Sequence, residues 1–395
     1  MTSNQVATHL AIVWKQRAME FGWTDEQEAL RAKLRAFLAD NLPTDWDTTA
    51  SLSPGSQAVT DFSRLFCPKL DAAGMLVSHW PEAFGGNGAS AWDHFIIGEV
   101  LWQAGEPRGP QYYNVNWIGP TILAYGCEAQ QAQHLGRMRQ GNVIWCQGFS
   151  EPSGGSDLAA IRTRAEKVGD SYRVNGQKIW TSYARLAEFC FLVVKTGPAR
   201  RDVSVFLLPM DRPGITVRPI ASVVGDGDLH EVFFDDVEVR TSERLGPEGK
   251  GWEVIRFSLD YERVGIPRYA LALKTLDPAV AELQCEGCFV PEAEFAAATA
   301  LASCEAARML VYETVDKRMR GRPDTGSASL ARYAVVCAER TVADFVLDWT
   351  PHLFTSDEAP MVATHHKRAI AAGLAAGAAE IQLNLVARDV LGLGV

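Results

Sequence analysis

The stretch Leu259–Gly265, LDYERVG, places two residues side by side that could do different chemistry. Glu262 could form a surface ion pair with Arg263, or it could be a buried acid kept for proton transfer. A carboxylate enclosed by apolar groups has a raised pKa, because desolvation disfavours its charged form. Such a group can accept a proton near neutral pH, so the face of the chain on which Glu262 lies decides the chemistry.

The residues around Glu262 predict a helix from Trp252 onward, with about 100° of rotation per residue. The polar face of that helix consists of Glu253, Arg256, Asp260 and Arg263. Glu262 falls outside this face, among positions that carry apolar residues. Adjacent helical residues do not face each other, so a simple pair with Arg263 is disfavoured. Two interpretations stay open: a buried glutamate satisfied by a distant arginine or backbone N–H, and a catalytic base.

A turn rich in glycine and serine follows a predicted strand in residues 145–160, WCQGFSEPSGGSDLAA. Glycines let backbone N–H groups approach an anionic or planar ligand closely, and the hydroxyls of Ser150 and Ser156 add donors and acceptors. The segment is neither a Walker loop, since no GK[ST] follows, nor a GxGxxG dinucleotide fingerprint. A ligand-binding turn and a long hairpin loop both fit this composition.

The segment 175–184, NGQKIWTSYA, predicts a hairpin turn followed by a strand with ligand-binding potential. Asn175-Gly176 is the pair that favours a type I′ hairpin turn. Trp180, followed by Thr181 and Ser182, could form one wall of a site for a planar aromatic ligand. Alternatively, Trp180 is a core residue.

The secondary structure that the sequence pattern predicts changes twice along the chain. Helical patterns dominate residues 25–140, beginning with a capping box at Thr24 and Gln27 and a helix that ends before Pro43. Short segments rich in β-branched and aromatic residues predict a small sandwich or barrel over residues 142–245. Helical periodicity then returns, and two long helices are predicted in EAEFAAATALASCEAARMLVYETVDKRM and KRAIAAGLAAGAAEIQLNLVARDVLG.

Composition limits the possible functions. A chain of 395 residues is too long for one compact core, and its net charge of −10 disfavours nucleic acid and anionic membranes as partners. The eight cysteines show no disulfide framework, and the CxxC of Cys285 and Cys288 lacks a second pair, so no metal site is predicted. Reduced cysteines, a short N-terminal apolar run and no run of about 18 apolar residues predict a cytoplasmic protein without a membrane span.

Several segments in this order resemble the acyl-CoA dehydrogenase family of flavoproteins over nearly the whole chain. They are WPEAFGGNG, IGPTILAYGCEAQ, FSEPSGGSDLA, NGQKIWTS, LGPEGKGW and AEIQLNLVARDVLGL. The resemblance implies an α+β, mostly α fold: an N-terminal helical domain at 20–143, a middle β-barrel or sandwich domain at 144–247, and a C-terminal four-helix bundle at 248–395. It also implies FAD at the β domain, a CoA thioester beside it, and an electron-transfer flavoprotein as electron acceptor.

The resemblance assigns site residues position by position. The flavin-binding positions are Gln147, Phe149, Ser150, Gly155, Ser156, Trp180, Thr181 and Ser182. The positions that contact the acyl-CoA are Ser156, Asp260, Tyr261, Arg263 and Arg388.

Two departures from the family pattern matter for the chemistry. The usual base lies in a YEGT motif, which reads AAGA here, so the common base position is Ala376. The alternative base position of the family falls on Glu262, while Ala376 keeps a backbone N–H that could stabilise the enolate oxygen. In addition, the arginine and Phe-Gly segment that grip the FAD pyrophosphate across a subunit interface are not recognisable between residues 270 and 300.

A chain with the flavin-ring half of the site and without the pyrophosphate half resembles one subunit of the α2β2 acyl-CoA dehydrogenases of steroid side chains. We therefore expect dehydrogenation of a bulky acyl-CoA, such as a cholesterol or bile acid side-chain thioester, with an unlike subunit completing the FAD site. The small residues near Ala376 would leave room for a bulky acyl group, or would serve close helix packing. The alternatives are a non-catalytic scaffolding subunit and a fatty or branched-chain acyl-CoA dehydrogenase or oxidase.

Overall fold

The computed structural model describes residues 22–223, 229–264, 267–356, 359–374 and 377–394, with the backbone alone at 260–264. In chain order, helices come first, an eight-stranded sheet follows, and helices return to the end. The predicted α+β, mostly α architecture with a helical first part, a β part and a helical last part is therefore confirmed. Ala376 lies outside the described residues.

Between residues 22 and 143, the described section of the first part, there are seven α-helices. They are α1 (Asp25–Asn41), α2 (Trp46–Ser51), α3 (Gln57–Ala72), α4 (Ala91–Gln103), α5 (Gln111–Tyr113), α6 (Gly119–Tyr125) and α7 (Glu128–Arg139). The predicted capping box at the start of α1 is present, because the Thr24 hydroxyl accepts from the Gln27 N–H and the Gln27 side chain accepts from the Thr24 N–H. A π-helix, Asn114–Ile118, separates α5 from α6.

The β part forms one hydrogen-bonded sheet. Its strands are β1 (Trp145–Gly148), β2 (Arg164–Val168), β3 (Ser171–Ser182), β4 (Phe189–Lys195), β5 (Val203–Pro209), β6 (Ile215–Ile220), β7 (Leu229–Arg240) and β8 (Arg244–Leu245). The strand order is β6-β7-β3-β2-β4-β5-β8, and β1 pairs in parallel with β4. The buried faces of β4 and β5 are almost entirely apolar, as expected for central strands.

The predicted hairpin turn at Asn175-Gly176 is wrong. Val168 pairs with Ser171, so the tight turn between β2 and β3 is formed by Gly169 and the residue after it, with Gly169 at φ 61°. Asn175 and Gly176 lie inside β3, at a shift in the β3–β7 register. A Cβ on Gly176 would lie 2.5 Å from the Thr163 hydroxyl, so glycine serves a close approach of strands there rather than a turn.

Among its described residues, the last part contains six α-helices. They are α8 (Gly251–Val264), α9 (Arg268–Cys285), α10 (Pro291–Met319), α11 (Thr325–Trp349), α12 (Pro360–Ile370) and α13 (Ala379–Asp389). Helix α11 packs against α9, α10 and α13. The second predicted long helix is wrong, because α12 ends at Ile370 and α13 begins only at Ala379. Gly373 and Gly377 adopt φ of 86° and 89°, which a continuous helix does not allow.

One hydrophobic core joins all three parts. It includes Phe66 and Trp117 from the first part, Phe191 from β4, and Val254 and Ile255 from α8. Helix α8 packs against β5, the π-helix, α6 and α11. A site formed by β1 and α8 is therefore supported by one close-packed core, to which all three parts of the chain contribute.

Among the described residues, no helix is both long and apolar enough to cross a bilayer. The eight cysteines are free thiols, and Cys285 and Cys288 are exposed. In the described part of the chain, Glu282, Glu286 and His352 offer ligand atoms within 4.8 Å of one another on an exposed surface. Exposed acidic groups commonly cluster without an ion, so the absence of a metal site stays a prediction.

Candidate functional site

The end of β1 leads directly into the serine- and glycine-rich turn. The ring of Phe149 is partly buried and lies 5.9 Å from the ring of Phe191. The Ser150 carbonyl accepts a hydrogen bond of 2.9 Å from the Ile179 N–H, so β3 holds the turn from one side. The structure thus brings the predicted flavin-binding segment 147–150 and the strand of Trp180 together.

A buried ion pair between Lys178 and Glu151 anchors this turn to β3. Lys178 is 0% exposed, and its Nζ donates to the Phe149 carbonyl at 3.0 Å and to Glu151 Oε1 at 2.8 Å. The Glu151 carboxylate also accepts from the N–H groups of Arg162 at 2.5 Å and Thr163 at 3.0 Å. Every polar atom of the pair therefore has a partner, which a buried ion pair needs to be tolerated.

The pKa values of Lys178 and Glu151 are both lowered, by burial for the lysine and by its hydrogen-bonded partners for the glutamate. Burial lowers the pKa of Lys178 because it penalises the ammonium form, and the Glu151 charge opposes that effect only in part. Burial acts to raise the pKa of Glu151, but the Lys178 charge and the donated hydrogen bonds outweigh it and lower that pKa. At neutral pH the carboxylate is charged and accepts several hydrogen bonds at once.

Strand β3 bulges beyond Lys178. Lys178 pairs with Val232 and Thr181 with His230, so β3 carries one more residue than β7 over this interval. Within the bulge, Trp180 has φ 59°, a conformation that bulky residues rarely adopt. Its side chain is 56% exposed although it is the largest type of apolar side chain. Backbone outliers of this kind cluster at ligand sites, where the surrounding structure maintains them.

Two buried polar atoms at the site lack partners. Within the described part of the chain, no group hydrogen-bonds to Gln147 Nε2 or to Thr181 Oγ1. Native proteins rarely leave buried donors and acceptors unpaired, since each costs about 1–3 kcal/mol. Both residues are among the predicted flavin-binding positions. These unpaired atoms and the outward-facing indole of Trp180 form an arrangement that suits a planar, hydrogen-bonding ligand.

The tip of the turn is open. Gly155 and Ser156 are exposed, and a Cβ on Gly155 would meet only the Ser150 hydroxyl, at 4.0 Å. Gly154 is buried, and a Cβ there would lie 3.0 Å from the Asp157 carbonyl oxygen. Ser182 is half-buried at the end of β3. The exposed tip can therefore present the Ser156 hydroxyl and its N–H groups to a ligand, while Gly154 fits a tight turn behind it.

Helix α8 carries position 262 in its last turn. Ile255 and Ser258 are fully buried and Leu259 is half-buried, whereas Glu253 and Arg256 are exposed. Position 262 continues the row of 255, 258 and 259, because residues three, four and seven apart share a helix face. The polar face predicted from the sequence is thus exposed to solvent at Glu253 and Arg256, the two of its members whose side chains are described. The side chains of Asp260, Tyr261, Glu262 and Arg263 lie outside the description, and their roles stay predictions.

The segment between α12 and α13 includes position 376, which lies outside the described residues, and the described residues on either side of it are well anchored. The Arg340 guanidinium donates to the Ala372 carbonyl at 2.8 Å, and the Ala379 N–H donates to the Gly373 carbonyl at 2.7 Å. A Cβ on Gly373 would lie 3.1 Å from both Ala379 and Val336. Close packing rather than room for a ligand therefore explains Gly373.

Gly377 has a φ of 89°, and a Cβ there would lie 2.3 Å from Gln382 Nε2, at the end of a flexible side chain, so its backbone conformation rather than enclosure favours glycine. Arg388 lies at the end of α13, where its guanidinium makes a two-point ion pair with Asp389 at 2.6 and 2.8 Å. Arg388 is exposed, so a contact with the CoA end of a thioester remains sterically open. No distance in the described part of the chain tests that role.

The sequence did not single out Gly148, Glu151 and Lys178 as functional residues. A Cβ on Gly148 would lie 2.9 Å from Cys190 Sγ and 3.5 Å from Lys178 Cγ, so the glycine makes room for the lysine stem beneath β1. A signal was available, because Lys178 occurs in a strand whose neighbours alternate toward the core, where an unpaired lysine is rare.

Family models identify the class of protein to which this chain belongs. Models of the N-terminal, middle and C-terminal domains of acyl-CoA dehydrogenases match residues 24–142, 146–237 and 249–391. The chain therefore belongs to the acyl-CoA dehydrogenase family. The order of the three matches agrees with the helical, β and helical parts of the structure.

Two kinds of relatives stand out. The acyl-CoA dehydrogenase IpdE1 of Mycobacterium tuberculosis is 38% identical over 241 residues, which cover 60% of this chain and 63% of that protein. The solved structure of the Tcur3481-Tcur3483 steroid ACAD is 26% identical, with a TM-score of 0.86 over 95% of this chain and 100% of that chain. The ChsE4-ChsE5 complex from Mycobacterium tuberculosis is 27% identical, with a TM-score of 0.85 and the same coverage.

Proposed function

We propose that this chain is one subunit of an FAD-dependent enzyme that dehydrogenates a bulky acyl-CoA thioester between its α and β carbons. The acyl group is of the steroid side-chain type, as in cholesterol or bile acid degradation. The observation that carries the proposal is the site on β1 and β3. Trp180 is exposed at a positive φ, next to Thr181 along β3, and within the described residues Thr181 Oγ1 and Gln147 Nε2 have no hydrogen-bond partner. Family membership supplies the chemistry that this arrangement serves.

FAD fits the residues present. The flavin ring would meet Phe149 and Trp180, and its polar edge would satisfy Gln147 Nε2 and Thr181 Oγ1. Ser150, Gly155, Ser156 and Ser182 would add hydroxyl and N–H donors around it. When bound, FAD would accept the hydride that leaves the β-carbon of the thioester.

The remaining steps belong to side chains and backbone of this chain. Glu262 removes the α-proton as a carboxylate, and Ala376 donates its backbone N–H to the thioester oxygen, where negative charge develops. Ser156, Asp260, Tyr261, Arg263 and Arg388 hold the CoA ester. Domain boundaries at 20–143, 144–247 and 248–395 and a cytoplasmic location complete the proposal.

The relatives, rather than the glycines on either side of position 376, support a large acyl group. One structural neighbour is named a steroid ACAD, and IpdE1 is a relative of 38% identity. Gly373 is explained by close packing and Gly377 by its positive φ, so they add no argument for a large cavity.

An unlike acyl-CoA dehydrogenase subunit completes the FAD site in an α2β2 assembly, and an electron-transfer flavoprotein accepts the electrons. Two structural neighbours are named by two components each, Tcur3481-Tcur3483 and ChsE4-ChsE5, and this chain matches a subunit of each over that subunit's whole length. The region from 270 to 300 offers no arginine and Phe-Gly segment for a pyrophosphate. A partner that supplies those groups accounts for both observations.

Substitution of Glu262 by Gln tests the catalytic role. The carboxamide keeps the shape but cannot take the proton, so turnover should fall by about 10²–10⁴-fold while FAD content is unchanged. The assay is anaerobic bleaching of the flavin by CoA thioesters, from butyryl-CoA to a steroid side-chain CoA. Glu253→Gln is the matched control, because Glu253 lies exposed on the same helix.

Full turnover by Glu262→Gln would refute the base assignment. Bleaching by butyryl-CoA and not by a steroid side-chain CoA would refute the proposed substrate class. Purification with and without candidate sister subunits, with flavin counted per chain, tests the partner. Flavin bound fully by the chain alone contradicts a shared site, and flavin that no thioester bleaches supports a scaffolding subunit instead.

A further inference from the structure

The ion pair of Lys178 and Glu151 lies beneath the predicted flavin-binding segment and connects three pieces of chain. Lys178 belongs to β3, the Phe149 carbonyl to the end of β1, and the N–H groups of Arg162 and Thr163 to the segment before β2. The turn that runs from Ser150 to Ser156 lies between two of these attachment points. Its course is therefore set by a buried network rather than by its own composition.

The network constrains the backbone at two adjacent positions. Lys178 Nζ holds the carbonyl of Phe149, and the next residue of β3, Ile179, holds the carbonyl of Ser150 through its N–H. The residue after that is Trp180, in the bulge of β3. Strand β3 thus holds the backbone of Phe149 and Ser150, the two predicted flavin neighbours in the turn. The same strand carries the exposed indole of Trp180, only one residue beyond Ile179.

Burial makes the pair sensitive to the loss of either member. Lys178 is 0% exposed, and Glu151 is 5% exposed. The lysine stem runs under Gly148, where a Cβ would lie only 3.5 Å from Lys178 Cγ. Removing one partner leaves an uncompensated charge in the interior, whereas replacing both by neutral groups of similar size removes the charge as well.

We propose that Lys178 and Glu151 are positioning residues of the FAD site: their ion pair holds the Phe149 carbonyl and the turn 150–156 in the conformation that binds the flavin. The proposal rests on the function proposed above, in that it assumes FAD as the ligand of this segment. Neither residue touches the reacting atoms. Their effect passes through the backbone of the turn, so it appears in FAD affinity and not only in folding.

The test separates an effect on FAD binding from an effect on folding. It uses a set of variants, each purified in the same oligomeric assembly as the wild-type chain. They are Lys178→Met, Glu151→Gln and the double variant Lys178→Met/Glu151→Gln. FAD is removed, and the dissociation constant for re-added FAD is measured by flavin fluorescence at a temperature well below the melting midpoint. Thermal melting of the same FAD-free samples reports on folding.

The single variant Lys178→Met should melt well below the wild-type protein, because it leaves the Glu151 charge buried alone. The double variant should melt close to the wild type, yet its dissociation constant for FAD should rise by at least about tenfold, since nothing holds the Phe149 carbonyl. The matched control is Glu106→Gln/Arg108→Met, which removes another buried ion pair, at 2.6 Å, from the helical first part. That control should leave the dissociation constant within about twofold.

A folded double variant that binds FAD as tightly as the wild type would overturn the positioning role and leave the proposed function intact. Failure of the wild-type assembly to take up FAD would overturn both. Should the double variant fail to fold, Glu151→Gln decides the question, because its carboxamide keeps the shape and one acceptor for the Thr163 N–H. Wild-type FAD affinity in folded Glu151→Gln would then refute the inference, and an increase of about tenfold would support it.

Discussion

Acid should destabilise this protein through His365, a buried histidine of α12. His365 is 2% exposed, its Nε2 lies 3.1 Å from the Glu339 carbonyl oxygen, and its Nδ1 has no partner within the described residues. Burial lowers the pKa of His365 to about 4, although the Glu339 carboxyl and this hydrogen bond oppose the shift. In the unfolded chain, a histidine has a pKa of about 6.5.

The sign of the effect follows from these two values. Between them, the unfolded chain binds a proton that the folded chain does not, so unfolding becomes easier as the pH falls. The contribution of His365 is fully present above pH 6.5 or so and is lost progressively toward pH 4. One pKa unit corresponds to about 1.4 kcal/mol, which makes the loss from about pH 7.5 to about pH 5 roughly 2 kcal/mol.

The variant His365→Gln isolates this contribution. The glutamine Nε2 can still donate to the Glu339 carbonyl, but the side chain does not titrate. We therefore expect the free energy of unfolding to fall less between the two pH values than in the wild type, by about 2 kcal/mol. Burial also lowers the pKa of His79 to about 3 and of His134 to about 4, so both proteins lose stability and only their difference reports on His365.

Urea unfolding at both pH values, followed by circular dichroism, measures the difference. Ile370→Gln serves as the control, since Ile370 is 58% exposed at the end of the same helix and neither side chain titrates, so this variant should show the wild-type dependence on pH. Equal losses in His365→Gln and the wild type would show that protonated His365 is tolerated in the folded protein. The assumption that burial controls this histidine would then be wrong.

Three glycine substitutions test the packing described above, each by urea unfolding. Gly148→Ala should destabilise by about 1–3 kcal/mol and weaken FAD retention, because its Cβ would lie 2.9 Å from Cys190 Sγ; an unchanged midpoint would show that β1 can shift. Gly86→Ala should destabilise by roughly 3 kcal/mol, since its Cβ would lie 1.6 Å from the Trp80 carbonyl oxygen. Gly98→Ala should stabilise by about 1 kcal/mol, because a Cβ inside α4 meets nothing within 4 Å and alanine favours helix; a lower midpoint would contradict this.

Local rules explain where the sequence analysis succeeded and where it did not. The capping box at Thr24 was predictable because both partners lie within three residues of each other. The strand conformation of Asn175-Gly176 was not predictable, because that pair favours a turn in isolation, and only the approach of Thr163 and the pairing with β7 make it part of a strand. The break after Ile370 was hidden for the same reason: alanines favour helix locally, whereas Gly373 and Gly377 adopt left-handed conformations that interrupt it.

The sequence alone determined the three-part architecture, the family and the set of candidate residues, because periodicity, turn signals and motifs are properties of neighbours along the chain. It also separated the row of Glu262 from the polar face of α8, since helix geometry is regular. Only the tertiary structure revealed that Lys178 reaches Glu151 and the Phe149 carbonyl, and that Trp180 faces outward from a bulge. Such contacts join strands far apart in sequence, and their energies depend on burial, which no local pattern records.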